Sequence, residues 1–280
     1  LEWHAAIPMS AGFVNQLGAW LIGASLKLGN PGYRLCREPF MPTSATLIGD
    51  PKYGFPCPWI TTHHRQTGRG FDAYHTSADT VGLLSSKGLA SCATSMAGYL
   101  YYLANAGSRE AVELARAETA QTVSALSGLR RGVSPSRVRY ALDQHEENLT
   151  KLQRWLWEGR REDILKALDG CRDQARAAAD RLVGARRSVG RKAGPGADVI
   201  PRRTAVLSPS TENVPVDISR RIRKGGFSSW ALFWADGNRT LPEIADALSV
   251  ETGKDVDPGD LLTHFEAHAD LGYVSLHRRG

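Results

Sequence analysis

The chain has 280 residues, a net charge of +6 and a mean hydropathy of -0.31. With 42% hydrophobic and 23% charged residues it is neither disordered nor collagen-like, and it has enough apolar side chain for a core. No stretch approaches the roughly 18 uncharged apolar residues of a membrane-crossing helix.

Residues 1–107 are rich in Gly, Pro and aromatic side chains and poor in charge, and read as one domain. Phe13 to Leu28 has helical spacing, with Phe13, Leu17, Trp20, Leu21 and Ala24 on one face, and Asn30-Pro31-Gly32 stops it. Tyr33-Arg34-Leu35 and Trp59-Ile60-Thr61-Thr62 read as short strands. Ser85 to Ala104 predicts a helix with the apolar stripe Leu89, Ala93, Met96, Leu100 and Leu103, and with small residues that allow close packing on a sheet.

Residues 108–190 read as three helices. The first runs from Ser108 to about Leu129. The second is capped by Ser134, has Pro135 at its first position and ends near Gly159. The third spans about Glu162 to Arg186. They predict a structural or dimerising hairpin or small bundle.

Residues 191–214, rich in Gly, Pro, Arg and Ser, read as a basic flexible linker. The positive charge is concentrated around it. From Arg181 to Lys224 eleven basic residues oppose three acids, whereas from Gly225 to Gly280 four oppose nine. Residues 215–280 have the order helix, turn, helix, helix, strand. A short aromatic helix, Ser228 to Trp234, precedes a turn at Asp236-Gly237-Asn238. Thr240 and Glu243 open a helix at capping-box spacing. Asp257-Pro258 opens the next, Gly272 breaks it, and Tyr273 to Leu276 is a strand. This is the order of a winged helix-turn-helix. Its candidate recognition helix carries Asp257, Asp260, Glu266 and Asp270 and no Lys or Arg before Arg278. Phosphates would repel it, so packing against protein is expected rather than nucleic-acid binding.

The sharpest chemical signal is Tyr74-His75-Thr76-Ser77-Ala78-Asp79-Thr80. A loop histidine followed by hydroxyls and an acid just before a helix suits a metal ligand, with Asp79 available to cap the helix. Upstream lie Ser44-Ala45-Thr46 and Gly54-Phe55-Pro56. Over about residues 8–106 these stretches resemble the C-terminal end of the co-catalytic zinc aminopeptidase family, which includes the glutamate-carboxypeptidase and transferrin-receptor type domains. There a Gly-x-Pro turn enters a core strand ahead of a Tyr-His-Thr-x-x-Asp-Thr loop and a long helix. The resemblance implies a partial α/β/α domain with two zinc ions that activate a bridging water for hydrolysis of N-terminal peptide bonds. It implies His75 as the last zinc ligand, with Tyr74, Thr76, Asp79 and Thr80 supporting the loop. Ser44-Ala45-Thr46 stands where the family has Ser-Asp-His, and the remaining ligands and general base would lie in a longer parent. The C-terminal module is similar to the winged-helix appendage of some bacterial aminopeptidase-like proteins.

Other histidines and the cysteines read as structural. His63 and His64 are adjacent, so on a strand they would point to opposite faces. His264 and His268 are four apart on a helix, but Glu266 is one position late for a His-Glu-x-x-His zinc motif, and they read as surface or packing residues. Cys36, Cys57, Cys92 and Cys171 have no C-x-x-C spacing. The start, Leu1-Glu2-Trp3-His4, has no signal-peptide pattern. Reduced thiols and a cytoplasmic location are expected, and Leu1 reads as the edge of a longer protein.

The sequence thus predicts an α/β domain, a helical bundle and a winged helix-turn-helix. Together they would be the C-terminal fragment of an aminopeptidase-like zinc metallopeptidase, inactive as this chain alone. Peptide would be the parent's substrate, no membrane partner is expected, and the helical region offers a route to a homo-oligomer. The alternatives are a non-catalytic interaction protein with a degenerate peptidase-like domain and a winged-helix assembly module, and a winged-helix transcriptional regulator.

Overall fold

The computed structural model describes residues 1–10, 12–38, 50, 56–61, 72–73, 76–129, 133, 135–154, 161–183, 194, 196–204, 214–226 and 229–279. Among these residues the chain is mostly helical, with eight α-helices and two small sheets, and no helix is long and apolar enough to cross a membrane. The described residues fall into two compact units, neither contiguous in sequence. The first draws on 1–41, 56–118 and 147–171, the second on 42–55, 119–146 and 172–280.

The first unit is organised by Trp3. Strand β1 (Glu2–His4) lies between β2 (Cys36–Glu38), to which it is parallel, and β3 (Trp59–Thr61), to which it is antiparallel. Helix α1 (Phe13–Gly29) is the crossover from β1 to β2, the connection that a parallel pair requires. Trp3 points off one face of the sheet into α1. Its indole N–H donates to the Asn15 carbonyl at 3.0 Å, and its ring lies on Gly18, where a Cβ would come within 2.0 Å of the indole. Leu1, Ala19, Ile22 and Leu26 complete this apolar cluster.

That contact corrects the expected faces of both long helices. The stripe through Trp20 and Ala24 does not set the core side of α1: Trp20 is half exposed and Ala24 exposed. Gly18, Ile22 and Leu26 face Trp3's cluster, while Phe13 and Leu17 enter a second cluster. Helix α2 (Ser86–Asn105) packs on α1 rather than chiefly on a sheet. It buries Ser95, whose hydroxyl donates to that of Ser25 at 3.1 Å, and Tyr99, whose ring meets Trp3 at 5.9 Å. Met96 and Leu103 are half-buried, but Leu89, Ala93 and Leu100 of the expected stripe face solvent.

The three helices expected over 108–190 are α3 (Ser108–Gly128), α4 (Pro135–Gln153) and α5 (Arg161–Val183). Ser134 lies outside the described residues. Each helix contributes to both units. In the first unit Leu114, Leu149, Leu152 and Leu168 join Phe13, Leu17 and Tyr99. A polar pair accompanies them, in which the Asn148 amide donates to Glu118 at 2.7 Å; burial raises the Glu118 pKa, opposed by that hydrogen bond. In the second unit the same helices meet through Leu126, Val138, Ala178 and Ala179.

Within the stretch expected to be a flexible linker, residues 199–203 form strand β4 (Val199–Arg203). It pairs antiparallel with β5 (Val274–Arg278). Val199 and Pro201 are buried at alternate positions, a period-two pattern that the Arg- and Pro-rich composition conceals. Arg203 grips the fully buried Asp50 with two hydrogen bonds, 2.7 and 2.8 Å, and lies over the Phe233 ring. Between the strands run α6 (Val216–Arg223), a 3-10 segment (Ser229–Trp234) where an aromatic helix was expected, α7 (Leu241–Thr252) and α8 (Pro258–Asp270). The local signals hold. Thr240 and Glu243 form a capping box, and Asp257 accepts from the Gly259 and Asp260 amides. Gly237 and Gly272, at φ +83° and +73°, adopt the left-handed turn conformation.

Basic and acidic runs meet within this second unit. Arg221 of α6 pairs with Asp270 of α8, and Lys224 pairs with Asp260. Arg137 of α4 reaches Asp246 of α7 and Asp255, while Ser136 also donates to Asp246. Tyr140 and the Trp234 indole both donate to Glu251. Helix α8 exposes only Glu266 and Asp270. His264 and His268 are buried packing residues whose Nδ1 atoms lie 2.7 and 2.8 Å from the carbonyl oxygens of Ile222 and His264.

Two outcomes are expected. Gly18→Ala should force Trp3 off α1 and cost about 2 kcal/mol, as over-packed cores do, read from urea unfolding followed by tryptophan fluorescence. Burial, with His268 adding to it, pushes the His264 imidazole down to about 3. The unfolded chain, with a histidine near its usual value of about 6.5, therefore takes up a proton that the fold refuses. Stability should fall as pH drops below that value, by about 2 kcal/mol at pH 5 from this site, and His264→Gln should flatten the dependence in urea titrations at several pH values.

Candidate functional site

Alternation in β1 places Glu2 and His4 on the sheet face opposite Trp3. Both are fully buried, and His4 Nε2 lies 3.3 Å from a Glu2 carboxylate oxygen. The strand register puts Cys36 and Glu38 beside them on one side, Thr61 and Trp59 on the other. The His4 ring stacks flat on the Trp59 indole, with centroids 4.0 Å apart and planes 9° from parallel.

Glu2 fixes the imidazole orientation from Nε2, and the indole fixes its plane. Nδ1 is buried and has no hydrogen-bond partner among the described residues. A carboxylate that accepts the proton of one ring nitrogen leaves a lone pair on the other, the arrangement used to hold a histidine as a base or as a metal ligand. Buried polar atoms are nearly always satisfied, but the packing residue His268 has such a nitrogen too, so it is the facing carboxylate together with the flat-stacked indole that makes this face a candidate site.

The expected site residues fall differently. Tyr74 and His75 lie outside the described residues, as do His63, His64, Ser44-Ala45-Thr46 and Gly54-Phe55. Thr76, Asp79 and Thr80 are exposed and form a tight loop. The Thr76 hydroxyl donates to the Ala73 carbonyl at 2.7 Å and accepts from the Ala78 amide at 3.2 Å, and the Asp79 amide donates to the Thr76 carbonyl at 3.1 Å. Thr80 begins the 3-10 turn Val81–Leu83. Asp79 does not cap α2. That cap is Ser85, whose hydroxyl accepts from the Gly88 amide at 3.1 Å.

Among the described residues no group of three His, Cys, Asp or Glu side chains could hold a metal ion. A catalytic zinc needs about three protein ligands. The described residues therefore supply a carboxylate–imidazole pair and not a zinc centre by themselves. All four cysteines are free thiols.

Comparison with known proteins finds no matching family model, no matching curated protein and no matching solved structure.

The Glu2–His4 pair escaped the sequence reading, although Glu-Trp-His carries the polar–apolar–polar signal of a half-buried strand. Three residues are too few for periodicity to stand out. His4→Leu, which removes the polar group facing the buried Glu2 carboxylate, should cost about 1 to 2 kcal/mol in urea unfolding, and His4→Gln, which keeps a donor, clearly less.

Proposed function

We propose that this chain is the C-terminal part of an aminopeptidase-like zinc metallopeptidase whose complete form removes N-terminal residues from peptides. The observation that carries the reading is the order of elements in the first unit. A parallel β1–α1–β2 crossover is followed by β3, a hydrogen-bonded turn at 76–79 and the long helix α2. This is the order in which the family resemblance sets its strand, its histidine loop and its helix. Zinc, when bound in the complete protein, would supply the activated water. His75 is the residue of this chain assigned to it. Thr76 ties the loop to the buried Ala73, and the described residues supply no further step. The free thiols are in keeping with a cytoplasmic setting.

In this proposal the C-terminal module is winged-helix-like and serves packing. The supporting observation is that its acids are engaged inside the second unit, by Arg137 and Ser136 of α4 and by Arg221 and Lys224 at α6, while α8 offers almost no free face to a groove. The same observation favours, as a second reading, a non-catalytic assembly protein over a transcriptional regulator.

The test is metal analysis and hydrolysis of leucine p-nitroanilide by the uninterrupted gene product and by this chain. The gene product should bind two zinc ions and cleave the substrate, His75→Ala should lower kcat/KM by about three orders of magnitude or more, and this chain should be inactive. A gene product without zinc and without hydrolysis decides for the assembly protein.

A further inference from the structure

Helix α2 turns an apolar face to solvent. Ala90, Ala93 and Ala97 run along its centre with Tyr101, which is 71% exposed, and Leu89 and Leu100 border them on one side, each more than half exposed. The turn before the helix adds Val81, Leu83 and Leu84, also more than half exposed. The helix carries a single charge in twenty residues, Lys87, and no acid. An outer helix face is ordinarily polar, and a contiguous apolar patch of this kind marks an interaction surface.

We propose that this face joins two copies of the chain, through antiparallel packing of α2 on the partner's α2 about a twofold axis near Thr94 and Ala97. Shape supports it. Around that axis Tyr101 lies opposite the partner's Ala90, so the bulky side chain meets the small one twice, once on each side. Ala93, Ala97 and Gly98 let the two backbones approach to about 8 Å, the close end of helix packing.

Charge supports it as well. Lys87 stands in the first turn of α2, where the helix dipole disfavours a cation and the turn holds no acid to offset it. Antiparallel pairing brings the carbonyl end of the partner's α2 to this ammonium, while the two Lys87 side chains lie at opposite ends of the interface. The six large apolar side chains amount to roughly 600 Å² per copy, or about 1,200 Å² in the pair, at the lower edge of specific interfaces. The dimer is therefore weak and isologous.

Sedimentation equilibrium of this chain from about 1 to about 200 µM should give a monomer–dimer equilibrium with a Kd on the order of 10 µM. Ala97→Glu and, separately, Tyr101→Ser should each raise that Kd at least about tenfold, with unchanged circular dichroism and melting temperature, since both positions are exposed. Lys27→Glu, on the solvent side of α1, should leave it unchanged. A chain monomeric throughout the range overturns the proposal, as does a dimer that both α2 variants leave intact.

Discussion

The seating of one indole on one glycine is the constraint from which the first unit is built. Trp3 reaches α1 only because Gly18 presents no side chain, and the ring then fixes how far α1 stands from the sheet. It fixes α1's rotation too, which turns Ile22 and Leu26 inward and Trp20 outward. Since α2 packs on α1, its rotation follows, with Ser95 and Tyr99 inside and the alanine face outside. The same strand residue sends its neighbours Glu2 and His4 to the opposite face. The apolar anchor and the polar pair are thus two consequences of one pleat.

The second unit rests on pairing of charge rather than on charge of one sign. A chain with a pI near 9.2 invites a search for an anionic partner, yet among the described residues Arg221 and Lys224 of the basic run, and Arg137 of α4, are paired with acids of the C-terminal module. Asp260 and Asp270 lie against α6, Asp246 and Glu251 against α4, and Asp50 beneath Arg203. Exposed pairs of this sort contribute little to stability, but they fix register, and the buried Asp50–Arg203 pair would be costly to break from one side only.

What was legible in the sequence was what is decided locally. The capping box at Thr240 and Glu243, the Asp257 cap, the glycine turns and the existence of every long helix follow from residues within a turn or two of one another. What was not legible depends on distant partners. The inward face of α1 is chosen by Trp3, that of α2 by α1, and β4 exists because β5 arrives seventy residues later to pair with it. The site shows the same division. The Thr76 turn is local and could be anticipated, whereas the His4 dyad needs the indole of Trp59, which only strand pairing brings alongside.

The discontinuity of the two units bears on how the chain folds during synthesis. The first unit lacks part of its core until residues near Cys171 have been made, and the second holds Asp50, whose buried partner Arg203 comes 153 residues later. Neither unit can complete itself while the ribosome is still working on the middle of the chain. Closing such long loops is slow, so the early-made Phe13 and Leu17 of α1 must wait for Leu168 and Cys171 of α5 to complete their cluster. For the same reason no single cut separates the units. A C-terminal truncation within α3 or α4 removes core from both, and limited proteolysis there would unfold the chain rather than release a domain.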